Sequence, residues 1–126
     1  IKTPVEWVIG SLRSLGLALP ARIDATLNAL GQVPFVPPDV SGWPANGAWL
    51  STASARTRLE AAQGFARLAD LAPLAATSPA DRPDAVARLL GVDAWGAATT
   101  KALAEVADRP DELLTVALVA PEHLLA

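Results

Sequence analysis

The chain has no cysteine, no methionine and no tyrosine, and only one histidine and two phenylalanines among 126 residues. Without cysteine there are no disulfides, no thiolate metal sites and no cysteine nucleophiles. That absence suits oxidising and reducing compartments alike. A single histidine rules out a multi-histidine zinc site. Positive charge is scarce: ten Lys and Arg stand against thirteen Asp and Glu, for a net charge of −3, and no basic run occurs. Nucleic-acid binding needs a positive stripe, so that class is set aside. No apolar run reaches the ~18 residues of a membrane-spanning helix, and no signal peptide is visible. Period-2 alternation is too short anywhere for a strand, and no repeat of solenoid length is visible.

What is there is alanine and leucine, which fill 46 positions (27 and 19). That composition favours helix. The length fits one domain with a modest core. The excess of arginine over lysine (8 to 2) and of alanine reads as the coding bias of a GC-rich genome. The chain opens on Ile1 rather than methionine, which reads as a processed chain or a piece of a larger one.

Thr3-Pro4-Val5-Glu6 is a helix start, with threonine as N-cap, proline at the first helical position and glutamate placed for a capping box. Val5, Val8, Ile9, Leu12 and Leu15 then recur at helical spacing, and Gly16 ends the helix. Trp7 lies off that stripe, which predicts contact with a second element. A second helix is expected over 21–30, with Ile23, Leu27 and Leu30 on one face. A third is expected from 51–54 to about 71, with an apolar stripe of Leu59, Ala62, Ala66 and Ala69 widened by Phe65 and Leu68. Residues 72–80 read as a flexible connector. Three short helices follow: Pro83 to Gly91; one capped by Asp93 that carries Trp95, Ala98, Ala102, Leu103 and Val106; and one from Pro110 with Leu113, Leu114, Ala117 and Leu118 as its face. The tail from Pro121 is expected to add one turn. The fold class is therefore all-α, about six helices in a single domain over 1–126, comprising a part over 1–71, the connector 72–80 and a small helical part over 81–126.

Between the second and third helices, residues 31–50 hold four prolines, three glycines, Phe35, Trp43 and Trp49. Such a stretch cannot be a helix, and a loop this long in a compact domain is functional or disordered; two tryptophans argue for order. One reading is a binding platform: Trp43 and Trp49 stack on sugar rings or a proline-rich partner, with Gln32, Asp39 and Asn46 offering hydrogen bonds. The other is a rigid structural strap. Pro34, Pro37, Pro38 and Pro44 reduce its chain entropy, and Phe35, Trp43 and Trp49 dock on the core. Each docked aromatic buries about 150–250 Å², worth several kcal/mol at about 25 cal/mol per Å². The strap reading is favoured.

The run Leu30-Gly31-Gln32-Val33-Pro34-Phe35-Val36-Pro37-Pro38-Asp39-Val40-Ser41-Gly42-Trp43-Pro44 resembles the C-terminal region of the bacterial family called "domain of unknown function 1800". So do the opening at Ile1 to Gly10, the Trp49-Leu50 pair and the hydroxyls Ser51, Thr52 and Ser54. The likeness covers roughly residues 1–59. Residues 72–110 carry no recognised signature, and Ala120-Pro121-Glu122-His123-Leu124 resembles the family's Ser-Pro-Glu ending only loosely. The resemblance implies a large, mainly helical bacterial protein, exported or in the cell envelope, that accompanies an exported partner family. It implies no known reaction and no cofactor.

No catalytic constellation accompanies these motifs. Asp39 reads as a turn carboxylate that accepts backbone amides two residues on; glycoside chemistry would need a second, convergent carboxylate. No Gly-x-Ser-x-Gly elbow exists for a serine triad, and His123 reads as a surface or tail residue. Asp81, Asp84, Asp93, Asp108, Asp111 and Glu112 lack calcium-loop spacing and read as helix caps and dipole partners. The functional expectation is a non-catalytic scaffold or interaction module that packs on an upstream domain or a partner chain. The alternatives are a glycan- or envelope-binding module and an accessory part of an enzyme whose catalytic groups lie upstream.

Overall fold

The computed structural model of the chain describes residues 2–21, 23–30 and 52–125. Among them run eight α-helices and no strand: α1 (Pro4–Ser14), α2 (Ile23–Ala29), α3 (Thr52–Leu68), α4 (Ala72–Ala76), α5 (Arg82–Leu90), α6 (Ala97–Glu105), α7 (Pro110–Val119) and α8 (Pro121–Leu125). Six of the eight have at least seven residues, and the all-α expectation holds. The Pro/Trp stretch 31–50 lies outside the described residues.

Helix α1 begins as its sequence dictates. The Thr3 backbone N–H donates to Glu6 Oε2 at 2.7 Å, and the Glu6 N–H donates to Thr3 Oγ1 at 3.3 Å. Two otherwise orphaned donors are thereby satisfied reciprocally. Those bonds hold the Glu6 carboxyl below its ordinary range. At the other end Gly16 takes φ +67°, and the Leu17 N–H reaches back to Leu12 O at 2.9 Å. Helix α5 ends the same way, with Gly91 at φ +72° and a 2.9 Å bond from Val92 N–H to Ala87 O. Both are left-handed glycine stops that consume carbonyls the helix cannot satisfy itself.

Helix α7 is the central element. Leu113, Leu114, Ala117 and Leu118 are fully buried, and α3, α5, α6 and α8 all pack around it. A helix apolar on most sides belongs inside, while its first turn carries Asp111 and Glu112 at the positive end of the dipole. Burial of each such leucine is worth about 1.5–3 kcal/mol. Trp7 is fully buried and bridges elements as its off-stripe position predicts: its ring lies 5.9 Å from Phe65 of α3, and its Nε1–H donates to Leu118 O of α7 at 2.9 Å.

Three expectations are corrected. The stretch 72–80 is not an unstructured connector: it contains α4 and a 3-10 turn at Pro79–Asp81, each with proline in its first turn, where a missing N–H costs nothing. Helix α6 starts at Ala97 with Gly96, not Asp93, as its N-cap. On α3 the buried face runs through Ser54, Arg58, Ala62, Phe65 and Ala66, while Leu59 is 42% and Leu68 61% exposed. The inward direction is set one residue away from the position the leucines suggested.

Candidate functional site

The residues singled out for binding, Gln32, Phe35, Asp39, Trp43, Asn46 and Trp49, all lie outside the described residues. What the fold does bring together is a set of polar side chains inside the core.

His123 is the first. It is 2% exposed, which corrects its reading as a surface residue. Pro121 opens α8 as a short turn that folds back on α1, and the Lys2 N–H bonds Leu124 O at 2.8 Å, so the two ends of the described chain meet. Inside this junction His123 Nε2 lies 3.0 Å from Ser11 Oγ, and Nδ1 lies 3.4 Å from Lys2 Nζ. An ammonium has no lone pair, so Nδ1 must be the acceptor from Lys2. The ring proton then sits on Nε2 and is donated to the Ser11 hydroxyl oxygen. Burial, and then the Lys2 charge, push the imidazole down to about 4, so it is neutral at pH 7. Burial also lowers the Lys2 ammonium, against the pull of Glu6. A serine–histidine pair invites comparison with a nucleophile and its base. Here Ser11 is fully buried, and the nitrogen facing it already carries a proton. The pair fastens α8 to α1 and does not activate an alcohol.

Arg82 is the second. It is 8% exposed and binds no carboxylate. Nε donates to Leu74 O at 2.8 Å and Thr77 O at 2.9 Å, Nη1 to Ala107 O at 2.7 Å and Nη2 to Ala75 O at 3.1 Å. Leu74 and Ala75 belong to the last turn of α4, at the negative end of its dipole, where Leu74 O also accepts the Thr77 N–H at 3.1 Å. One guanidinium fork closes that helix and ties it to the α6–α7 connection.

Glu122 is the third. Its Oε1 accepts the Gly96 N–H at 2.7 Å, and its Oε2 accepts the Thr99 hydroxyl at 2.8 Å. A residue of α8 thus caps the start of α6 from 26 positions away. Burial raises its carboxyl, but hydrogen bonds from its own N–H, Gly96 and Thr99 outweigh burial and hold it below the usual range. Gly96 makes the approach possible, since a Cβ there would lie 2.9 Å from Glu122 Oε1.

Two open clefts flank α3. One, of about 510 Å³, runs between α2 and α3 and is mostly apolar, walled by Ile23, Ala29, Ala61, Phe65 and Leu68. The other, of about 480 Å³, lies between α3 and α7 and presents Gln63, Arg67, Asp111, Glu112 and Thr115. Neither cleft contains His123 or Arg82. Among the described residues no group of three His, Asp or Glu side chains is placed to hold a metal ion, and no helix is long and apolar enough to cross a membrane.

The family whose model matches this chain is described as "Protein of unknown function (DUF1800)", and the match spans residues 1–125. The chain belongs to that family. Its reach takes in 72–110, where the sequence alone offered no family signature. No curated protein and no solved structure matches the chain.

Proposed function

We propose that this DUF1800 member is a non-catalytic helical interaction module, the C-terminal part of a larger bacterial protein. It packs through the groove between α2 and α3 against an apolar face of the upstream part of that protein. The observation that supports this reading is the two-sided character of α3. One side is buried with α7, while the other lines an open apolar groove whose wall residue Leu68 is 61% exposed. Solvation of an apolar surface is unfavourable at about 25 cal/mol per Å², so a groove of this kind gains by being covered. A second support is the use to which the buried polar groups are put. His123, Ser11, Arg82 and Glu122 bond to the protein's own backbone and side chains rather than facing a cleft.

The test is concentration-dependent sedimentation of the chain together with binding of an apolar dye. Dye binding and self-association are expected, both reduced by Leu68→Lys, which alters an exposed groove residue without touching the core. A chain that stays monomeric and leaves the dye dark would overturn the reading.

A further inference from the structure

Helix α8 is joined to the fold by polar bonds more than by buried apolar surface. It has five residues, of which His123 is the buried one, while Leu125 is 60% exposed. Its attachments are the His123 Nε2–Ser11 bond, the contact of Nδ1 with Lys2 Nζ, the Lys2 N–H bond to Leu124 O, and the two bonds that Glu122 accepts from Gly96 and Thr99. Helix α7 ends on Ala120 in extended backbone, with ψ 145°, and Pro121 starts α8. This joint lets α8 move without disturbing Leu113, Leu114, Ala117 or Leu118. A segment with few apolar contacts opens at lower free energy than the core.

Both titratable side chains of α8 lose their hold in acid. His123 Nδ1 accepts from an ammonium 3.4 Å away. Nε2 already carries a proton, so a second proton can add only at Nδ1, and the cation so formed would face Lys2. The charged groups of the surrounding elements do not offset this pair. Glu6, whose charge pulls on Lys2, is committed to Thr3. Arg13 of α1, Lys101 and Glu105 of α6, and Asp111 and Glu112 of α7 are exposed. The docked helix therefore excludes the protonated ring. Glu122 acts in the same direction: its bonds to Gly96 and Thr99 favour the charged carboxylate, which protonation removes.

We propose that α8 is an acid-released latch: a proton taken up at His123 Nδ1, opposite the Lys2 ammonium, frees residues 121–125 from α1 and α6 while the helices around α7 stay folded. Release unties the two ends of the described chain and strips the cap from α6. It is a local event, separable from unfolding of the whole chain, and it does not depend on the groove between α2 and α3 being an interface. The docked ring titrates at about 4 and the free ring at 6.5. Between those values only the released helix binds the proton, so docking is strongest above 6.5 and weakens below it.

Hydrogen exchange read amide by amide by NMR from pH 7 to pH 4 tests this, each rate being divided by its intrinsic value at that pH. The Lys2 and Gly96 N–H groups have their acceptors on α8 and report its release, while Leu118 reports the core. Protection of Lys2 and Gly96 is expected to lie about tenfold or more below that of Leu118 throughout, and to fall about tenfold per pH unit below 6.5. His123→Gln, whose amide does not titrate, should flatten the fall. Lys2→Met, which removes the opposing ammonium, should end the fall at a higher pH. A wild-type profile that stays flat to pH 4, or protection of Lys2 and Gly96 equal to that of Leu118 at every pH, would overturn the latch. So would an unchanged fall in His123→Gln. The first two results need only the wild-type chain, so they stand even if a variant fails to fold.

Discussion

His123 Nε2 meets Ser11 Oγ at 3.0 Å across a sequence separation of 112 residues. Both side chains are buried, and the bond closes the last helix onto the first. Because the ring is held neutral beside an ammonium, this junction has a pH dependence whose sign is fixed.

The folded ring titrates at about 4, and the ordinary histidine value is 6.5. Above 6.5 neither folded nor unfolded chain binds the proton. Between 6.5 and about 4 only the unfolded chain binds it, so stability falls as the solution is acidified, by up to about 1.4 kcal/mol per pH unit. Below about 4 this group contributes no further loss. Urea unfolding from pH 8 to pH 4, compared with His123→Gln, isolates the contribution: the variant should show a shallower slope in that window. An NMR titration placing the ring near 6.5 in the folded chain would contradict the buried junction.

Arg82→Met keeps the aliphatic stem and removes four donated bonds to Leu74, Thr77, Ala107 and Ala75. A loss of about 2–4 kcal/mol is expected in chemical unfolding. Arg82→Lys should recover only a minor part, since one ammonium cannot reproduce a planar fork spread over two elements.

Glu122→Ala removes the acceptor for Gly96 N–H and the Thr99 hydroxyl. The expected cost is that of a lost helix cap, about 1–2 kcal/mol, with hydrogen exchange accelerated at the start of α6. Gly96→Ala should give the same exchange pattern by pushing the carboxylate away, since the new Cβ would lie 2.9 Å from Oε1. Faster exchange confined to α8, with α6 unchanged, would contradict the cap.

Trp7→Phe preserves an aromatic against Phe65 but deletes the indole donor to Leu118 O. A loss of about 1–3 kcal/mol is expected, from the unsatisfied carbonyl and the volume left empty. Calorimetry of the two proteins measures it.

Much of this architecture is written locally. The Thr3–Glu6 capping box, the glycine stops at Gly16 and Gly91, and the face of α7 each depend on residues within two turns of one another. Trp7 is legible for a related reason, because an indole off its helix's own stripe needs another element to cover it. Residues 72–80 mislead because prolines usually mark connectors, whereas Pro73 and Pro79 stand in first turns, where helices accept them. The six candidate binding residues, from Gln32 to Trp49, lie outside the described residues. The buried polar junctions are built from others, and none of those carries a local motif.

The sequence by itself determined that this chain is helical and where most of its helices begin and end, since spacing, caps and stops act over a few residues. Only the tertiary structure decided which side chains face inward. On α3 a step of one residue turns the side chain by about 100°, and packing with α7, not local pattern, put Arg58 inside and Leu59 out. The same holds at the chain's far end. His123 and Glu122 read as a polar tail until the turn at Pro121 lays them against α1 and α6, because contacts spanning 112 and 26 positions leave no periodic trace in the sequence.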